Sequence, residues 1–120
     1  MTMSVDVAKL DTDLNMLILS GRALEGLEKY YAEDVVMQEN LDPPTTGKDE
    51  NRRREAAFFE SVARVRQITL HSAAANGHVS FSEWTLDVDL KDGSRRTLRQ
   101  VAARRWSNGL VVHERFYYKT

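Results

Sequence analysis

Few residues of this sequence have the types and spacing that a familiar catalytic motif requires. The 120 residues include no cysteine, which excludes a thiol nucleophile, a disulfide, a zinc–thiolate site and an iron–sulfur cluster. His71, His78 and His113 are scattered and form no i, i+4 pair, so neither a metal site nor another cofactor is expected. No serine stands in a G-x-S-x-G context, and no glycine-rich phosphate loop is present. Paired carboxylates, one of them protonated, remain as a means of acid–base chemistry.

The most prominent run of charge is basic. The arginines Arg52–Arg54 lie between Asp49, Glu50 and Glu55, a pattern typical of a solvated helix face with i, i+3 and i, i+4 ion pairs. The whole chain has 17 basic and 18 acidic residues and a net charge of −1. Proteins that bind nucleic acids or anionic membranes usually carry an excess of basic residues. The sequence therefore predicts neither kind of partner.

Length and composition indicate an ordinary globular protein. A chain of 120 residues is the size of one domain, so residues 1–120 are predicted to form a single domain. Hydrophobic residues make up 42% and charged residues 29%, which fits neither a disordered chain nor a membrane protein. No apolar run reaches the roughly 20 residues that a membrane-spanning helix needs. The first residues show no signal-peptide pattern, and a cytoplasmic location is therefore expected.

The N-terminal third has the apolar periodicity of helices. Apolar residues recur at helical spacing from Val5 to Ile18, and Gly21 interrupts this pattern. Leu24, Leu27 and Tyr31 then follow at i, i+3 and i+7, which predicts a second helix that ends at Asp34. The prolines of the next segment, 41–44, predict a loop. A third helix is predicted within residues 48–65, with its buried stripe formed by Phe58, Phe59, Val62 and Ala63.

Strands are predicted on either side of that helix. A short apolar run at 35–37 precedes the loop. From Arg66 onward the apolar period is two, which indicates strands with one buried face. Asn-Gly pairs at 76–77 and 108–109 and the sequence Lys-Asp-Gly at 91–93 are typical hairpin turns. Three helices followed by a long antiparallel meander constitute an α+β arrangement rather than alternating βαβ units.

Two segments carry a resemblance to a known family. The sequence YYAEDVVMQENLDPPTTGKD, residues 30–49, resembles the helix–strand–loop passage of the nuclear transport factor 2-like superfamily. The sequence RRWSNGLVVHERFYYK, residues 104–119, resembles its terminal hairpin, which in SnoaL-like proteins commonly reads W-x-D-G-K-I-x-x-E-R-F-Y-Y-D. Lys119 replaces the final aspartate. The resemblance implies a cone in which three N-terminal helices pack on a curved antiparallel sheet and enclose a cavity.

The resemblance also permits a position-by-position comparison with enzymes of the superfamily. Glu39 falls where ketosteroid isomerases have their general base, but Leu14 and Ala102 replace their two hydrogen-bond donors. Loss of such donors removes a large catalytic contribution. Limonene-epoxide hydrolases hold a water with a tyrosine and an asparagine and use an arginine–aspartate pair and an aspartate on the last strand. The corresponding positions here are Met37, Glu39, Trp84, Leu86 and Phe116.

These matches set which side chains point into the cone. The predicted catalytic candidates are Glu39, Glu114 and Arg104. The apolar surroundings would raise the pKa of Glu39 toward a range useful for proton transfer; alternatively, Arg104 pairs with Glu39 or Glu114 in a structural polar network. The predicted ligand-binding residues are Met37, Phe59, Trp84, Leu86, Gln100, Trp106, Phe116 and Tyr118.

Two functions remain open at this stage. The first is a non-catalytic cone that binds a hydrophobic small molecule, since most catalytic groups of the relatives are replaced. The alternative is an acid–base enzyme of isomerase, cyclase or hydrolase type that acts on a hydrophobic small molecule with Glu39 as general base. The outward sheet face mixes apolar residues such as Val101 and Tyr117 with Arg99, Arg105 and Arg115. A homodimer through this convex face is expected, because a self-complementary surface suits a twofold contact.

Overall fold

A computed structural model describes residues 6–119; residues 1–5, where a signal peptide would begin, lie outside the described part. Three helices precede or interrupt the sheet: α1 (Val7–Leu19), α2 (Ala23–Tyr30) and α3 (Lys48–Ser61). The strands are β1 (Tyr31–Glu39), β2 (Thr45–Thr46), β3 (Val62–Asn76), β4 (Val79–Leu90), β5 (Arg95–Ser107) and β6 (Leu110–Tyr118). Three helices packed on a sheet confirm the predicted α+β cone. None of the helices in residues 6–119 is long and apolar enough to cross a membrane.

Local sequence explains where the first two helices begin and pack. The Asp6 side chain caps α1 by accepting a hydrogen bond from the backbone N–H of Lys9 at 3.1 Å, as aspartate commonly does. Gly21 adopts φ +77° between α1 and α2, a conformation that glycine tolerates best. Gly26 lets the two helices approach closely, because a Cβ there would lie 2.8 Å from Cδ1 of Leu14.

Two predicted helix boundaries are wrong. The second helix ends at Tyr30, not at Asp34, because the chain from Tyr31 onward pairs with β6 as a strand. The third helix ends at Ser61, and Val62 already pairs with Leu90 of β4. In both places a strand partner distant in sequence overrides a helical pattern that local periodicity suggests.

The six strands form one sheet in the order β2-β1-β6-β5-β4-β3. The meander from β3 to β6 is antiparallel, as predicted, and its turns fall at the three predicted positions. The pairing of β1 with β6 is parallel, so the sheet is mixed rather than wholly antiparallel. This arrangement places β1 beside the last strand, where Met37 is opposite Glu114 and Glu39 is opposite Phe116.

The hydrophobic core lies at one end of the cone, beneath α1 and α2. Its most buried members include Leu14, Leu27, Val35, Met37 and Val111. The predicted stripe of α3 does not belong to it: Phe59 is 42% exposed, and Val62 and Ala63 are in β3. The helix is held instead by buried polar residues of its first turn, Lys48 and Asn51, and its aromatic residues face open space.

Candidate functional site

A cavity of about 620 Å³ opens between the concave face of the sheet and the helices. Apolar side chains dominate its walls. They come from α1 and the turn after it, from α3 and from the inner face of β3 to β6; the main ones are Leu14, Ile18, Phe58, Phe59, Val65, Ile68, Trp84, Leu86, Leu98 and Phe116. The charged or amide side chains of the lining are Glu39, Arg54, Glu55, Arg96, Gln100, Arg104 and Glu114.

The structure brings most of the predicted ligand-binding residues to this cavity. Phe59, Trp84, Leu86, Gln100 and Phe116 line it. The indole N–H of Trp84 is not available to a ligand, because it donates to Oγ of Ser82 at 2.8 Å.

Three of the predicted ligand-binding residues lie elsewhere. Met37 and Trp106 are packed in the core below the cavity, and Nε1 of Trp106 donates to Oγ of Ser80 at 2.9 Å. Tyr118 is near the mouth, outside the lining. Burial and the negative charge of Glu39 raise the pKa of Tyr118.

A hydrogen-bonded polar cluster, which we call the floor, closes one end of the cavity. At its centre is Arg104, whose Nε donates to Oε2 of Glu114 at 2.6 Å and whose Nη1 donates to Oδ1 of Asp11 at 2.7 Å. Nη1 also donates to Oδ1 of Asn15 at 2.6 Å. Tyr31 donates its hydroxyl to the other oxygen of Glu114 at 2.7 Å. All five side chains belong to residues that are at most 5% exposed.

The backbone explains why these groups meet. Arg104 and Glu114 are directly opposite each other on β5 and β6, and Asp11 and Asn15 are one turn apart on α1. The pKa of Tyr31 is raised well above its usual value by burial first and by the negative charge of Glu114 second. Tyr31 therefore remains a neutral hydrogen-bond donor. The floor carries one positive and two negative charges, so it retains an excess of negative charge.

Glu39 is not part of the floor. Its Oε2 lies 3.3 Å from Nη1 of Arg54, and the two side chains are 39% and 34% exposed. Of the two predicted partners of Arg104, Glu114 forms the ion pair in the structure. Glu39 lies instead at the solvent-facing opening of the cavity, which we call the mouth. A half-exposed ion pair of this kind is strongly screened by solvent.

Glu55 is a polar residue of the cavity that sequence analysis missed. The charge pattern predicts a solvated face with ion pairs one turn apart, and the structure shows two such pairs, Arg52 with Asp49 and Arg53 with Glu50. The Glu55 side chain turns inward instead. The available signal was its spacing, because Glu55 precedes the apolar pair Phe58–Phe59 by one helical turn and shares its face.

The electrostatic environment of Glu55 differs from that of the other carboxylates. Within residues 6–119 no ion pair or hydrogen bond engages its carboxylate, whereas Glu39 and Glu114 each have a cationic partner. Burial raises the pKa of Glu55 to about 7, and the negative charge of Glu114 adds to the rise. Arg54 and Arg104 act in the opposite direction. A carboxyl with this pKa exchanges its proton near neutral pH.

The described residues hold no group of three or more His, Asp or Glu side chains arranged for a metal ion. The histidines are apart from the cavity lining. Nε2 of His71 is 2.7 Å from Oγ1 of Thr85. Burial, followed by the charges of Arg105 and Arg115, lowers the pKa of His113.

Comparison with known families and structures agrees with this architecture. The family described as SnoaL-like domain matches residues 16–114. No protein with a curated functional description matches the sequence. Among solved structures, a candidate SnoaL-like polyketide cyclase from Mesorhizobium loti is similar with a TM-score of 0.83 and 25% identity. The similarity covers 95% of this chain and all of that one (100%).

Two further structures are similar at lower identity and share the fold. An NTF2-like protein of unknown function from Burkholderia pseudomallei has a TM-score of 0.78 and 19% identity, over 96% of this chain and 92% of that one. A protein of ketosteroid isomerase-like fold from Catenulispora acidiphila, in complex with trimethylamine, has a TM-score of 0.73 and 13% identity. It is matched over 98% of this chain and 88% of that one. The predicted resemblance to this superfamily is confirmed.

Proposed function

The chain belongs to the SnoaL-like domain family, and we propose that it binds a small hydrophobic organic molecule inside its cone. The observation that carries the proposal is the cavity itself. A volume of about 620 Å³ is within the range of roughly 300–1,000 Å³ typical of sites for small organic ligands. Its walls are mainly aromatic and aliphatic, with few polar groups, which is the usual composition of such sites.

Exposed apolar side chains at the end of α3 and the start of β3 explain how the cavity would stabilise a ligand. Phe59 and Val65 remain about half exposed although they line a concave surface. A bound apolar molecule would remove them from water, which contributes about 25 cal/mol for each Å² of apolar surface buried. Neither residue belongs to the buried core cluster.

The residues present favour binding over the reactions of the characterised relatives. Leu14 and Ala102 occupy the positions of two hydrogen-bond donors of ketosteroid isomerases, and both are buried apolar groups here. The enzyme alternative with Glu39 as general base is weakened, because Glu39 is half exposed at the mouth and faces Arg54. Binding is thus the function that the geometry supports best.

Titration with the neutral dye N-phenyl-1-naphthylamine tests this proposal, because the dye fluoresces strongly in apolar sites. We expect saturable binding with one dye per chain. Leu86→Trp, which fills the cavity from β4, should abolish it. Glu83→Trp adds the same side chain on the same strand at an exposed position and should leave binding unchanged. Equal binding by both variants, or no binding by the unaltered protein, would overturn the proposal.

We further propose that two copies associate through the convex face of the sheet. Val101 and Tyr117 are cross-strand neighbours on β5 and β6, and Phe81 is nearby on β4; all three are exposed large apolar side chains. Arg99, Arg105 and Arg115 were predicted to surround such a patch. Sedimentation equilibrium should show a dimer, and Val101→Glu should convert it to a monomer. A dissociation constant of about 100 µM corresponds to a free energy of association of about −5 to −6 kcal/mol. If the unaltered protein is still a monomer at about this concentration, the proposed contact is refuted.

A further inference from the structure

The polar group best placed to react with a bound molecule is on α3 rather than on β1. We infer that Glu55 is the residue that accepts a proton from a molecule held in the cavity and returns it. This inference rests on the proposed ligand site. It relocates the acid–base group from Glu39, the position suggested by the resemblance, to a side chain one helical turn before Phe58 and Phe59.

Elimination among the carboxylates of the lining supports Glu55. Glu114 has both oxygens engaged, one by Tyr31 and one by Arg104, at 2.7 and 2.6 Å. Neither oxygen of Glu114 is therefore free of a protein donor. Glu39 is paired with Arg54, and its side chain is 39% exposed. Glu55 alone lines the cavity without a hydrogen-bond or ion-pair partner in the described residues.

The surroundings of Glu55 suit a general base. Aromatic and aliphatic walls disfavour its charged form, so that the ionised carboxylate is more reactive toward protons than it would be in water. Both protonation states are populated near neutral pH, which is the condition for efficient proton transfer in both directions. The charged and titratable groups that line the cavity or its floor around it are Asp11 on α1, Tyr31 and Glu39 on β1, Arg54 on α3, Arg96 and Arg104 on β5, and Glu114 on β6.

The floor also restricts the class of substrate. The hydroxyl of Tyr31 and three of the five N–H bonds of Arg104 are already donated to protein oxygens, so Arg104 retains only the two N–H bonds of Nη2 for an oxyanion in the cavity. The substrate that fits is an apolar molecule with an acidic proton whose conjugate base spreads its charge over its own atoms or expels a leaving group.

Proton abstraction from 5-nitrobenzisoxazole provides a direct test, because this apolar probe reports the strength of a base in an apolar site. The base removes the proton on C3, the C–H electron pair completes the nitrile, and the N–O bond breaks to give the coloured 2-cyano-4-nitrophenolate. The product carries the negative charge that leaves the base, so the reaction is balanced without another reagent. We expect kcat/KM to rise with pH and to level off through an apparent pKa of about 7.

Variants assign the reaction to one carboxylate. Glu55→Gln should reduce kcat/KM by about 100-fold or more, the usual contribution of a positioned general base. Glu60→Gln, which changes an exposed glutamate of the same helix, should leave the rate unchanged. Loss of the rate in Glu39→Gln but not in Glu55→Gln would overturn the inference, as would an apparent pKa near 4.5 in the unaltered protein. The latter measurement does not depend on the folding of any variant.

Competition with the dye separates this inference from the proposed function. If 5-nitrobenzisoxazole displaces N-phenyl-1-naphthylamine but reacts no faster than with acetate at equal concentration, the cavity binds ligands and Glu55 is not a base, so the inference is wrong and the proposed function remains. If neither compound binds, both fail. Displacement together with a rate that depends on Glu55 supports both.

Discussion

The floor of the cone and its α3 wall differ in whether their polar side chains have hydrogen-bond or ion-pair partners. On the floor, Arg104 makes three hydrogen bonds to carboxylate and amide oxygens, and each partner is itself buried. On the wall, Glu55 has no partner within residues 6–119, and its neighbour Phe59 is half exposed. Both regions line the same cavity. The difference indicates that the floor maintains the shape of the cone, whereas the wall is the part of the cavity where we propose that a ligand binds.

We expect the largest loss of stability when the ion pairs of the floor are removed. Arg104→Met leaves Asp11 and Glu114 buried without a cation, and removal of one partner from a buried ion pair typically costs 3–5 kcal/mol. We expect a loss of about this size in the free energy of unfolding, measured by urea denaturation. Arg54→Met removes a half-exposed partner of Glu39 and should cost about 1 kcal/mol or less. Equal losses in the two variants would contradict the distinction between floor and mouth.

Glu55 should make the free energy of unfolding of the protein depend on pH. The pKa of Glu55 is about 7 in the folded protein, above its ordinary value of 4.5. Between these values the folded state binds more protons than the unfolded state, so the free energy of unfolding falls as pH rises, and the full cost is present above pH 7. Glu55→Gln removes this cost and should make the protein about 1–3 kcal/mol more stable at pH 8.5.

The same gain should vanish below pH 4.5, where Glu55 is protonated in both states. Glu60→Gln serves as the control, because its exposed side chain should give a difference that does not vary across this range. Thermal unfolding monitored by circular dichroism at pH 4, 6 and 8.5 provides the comparison. A destabilised Glu55→Gln variant at pH 8.5 would mean that Glu55 has a cationic partner.

A third and smaller effect sharpens the role of the aromatic wall. Phe59→Ala removes part of the proposed binding surface. It should lower the affinity for N-phenyl-1-naphthylamine by about tenfold, or about 1.4 kcal/mol. The stability should change by less than about 1 kcal/mol, because the residue is half exposed and outside the core. Phe81→Ala changes a similarly exposed phenylalanine on the opposite face and should leave dye affinity unchanged. Fluorescence titration of both variants tests the difference.

The smallest expected effect is at the mouth. Glu39→Gln should change dye affinity by less than tenfold, or less than about 1.4 kcal/mol, since a solvent-screened carboxylate contributes little to binding of a neutral apolar molecule. Isothermal titration with N-phenyl-1-naphthylamine measures the affinity. A loss beyond tenfold would show that Glu39, rather than the wall, controls the site.

Much of the fold was predictable because short-range signals determine it. Asn108 adopts φ +52° and Gly109 φ +81° in the last hairpin, as expected of an Asn-Gly pair. The family resemblance sets which face of β4 and β5 points inward, and alternation along each strand then places Trp84 and Gln100 on that face, where both line the cavity. The end of α2 and the parallel pairing of β1 with β6 were not predictable in this way, because both depend on contacts between residues about 80 positions apart.

The candidate site was predictable only in part. Strand positions such as Leu86 and Phe116 follow from the parity that the family resemblance sets. The partner of Arg104 depends on the register of β5 against β6 and on the distance to α1, where Asp11 looks like an ordinary surface residue by sequence. Glu55 was missed for a related reason: a charge-rich helix is usually solvated, and only tertiary packing shows that one of its charges turns inward.

Carbon-13 NMR of the carboxyl groups tests the raised pKa of Glu55 directly, because it follows the titration of each glutamate side chain. The account predicts one carboxyl signal with a midpoint near pH 7 in the unaltered protein, absent from Glu55→Gln and present in Glu60→Gln. Addition of N-phenyl-1-naphthylamine should move that midpoint upward, because a bound apolar molecule excludes water from the wall and further disfavours the charged form. If every glutamate titrates below about pH 5, within the ordinary range, the pKa of Glu55 is not raised by the cavity wall, and Glu55 is not the base that we infer.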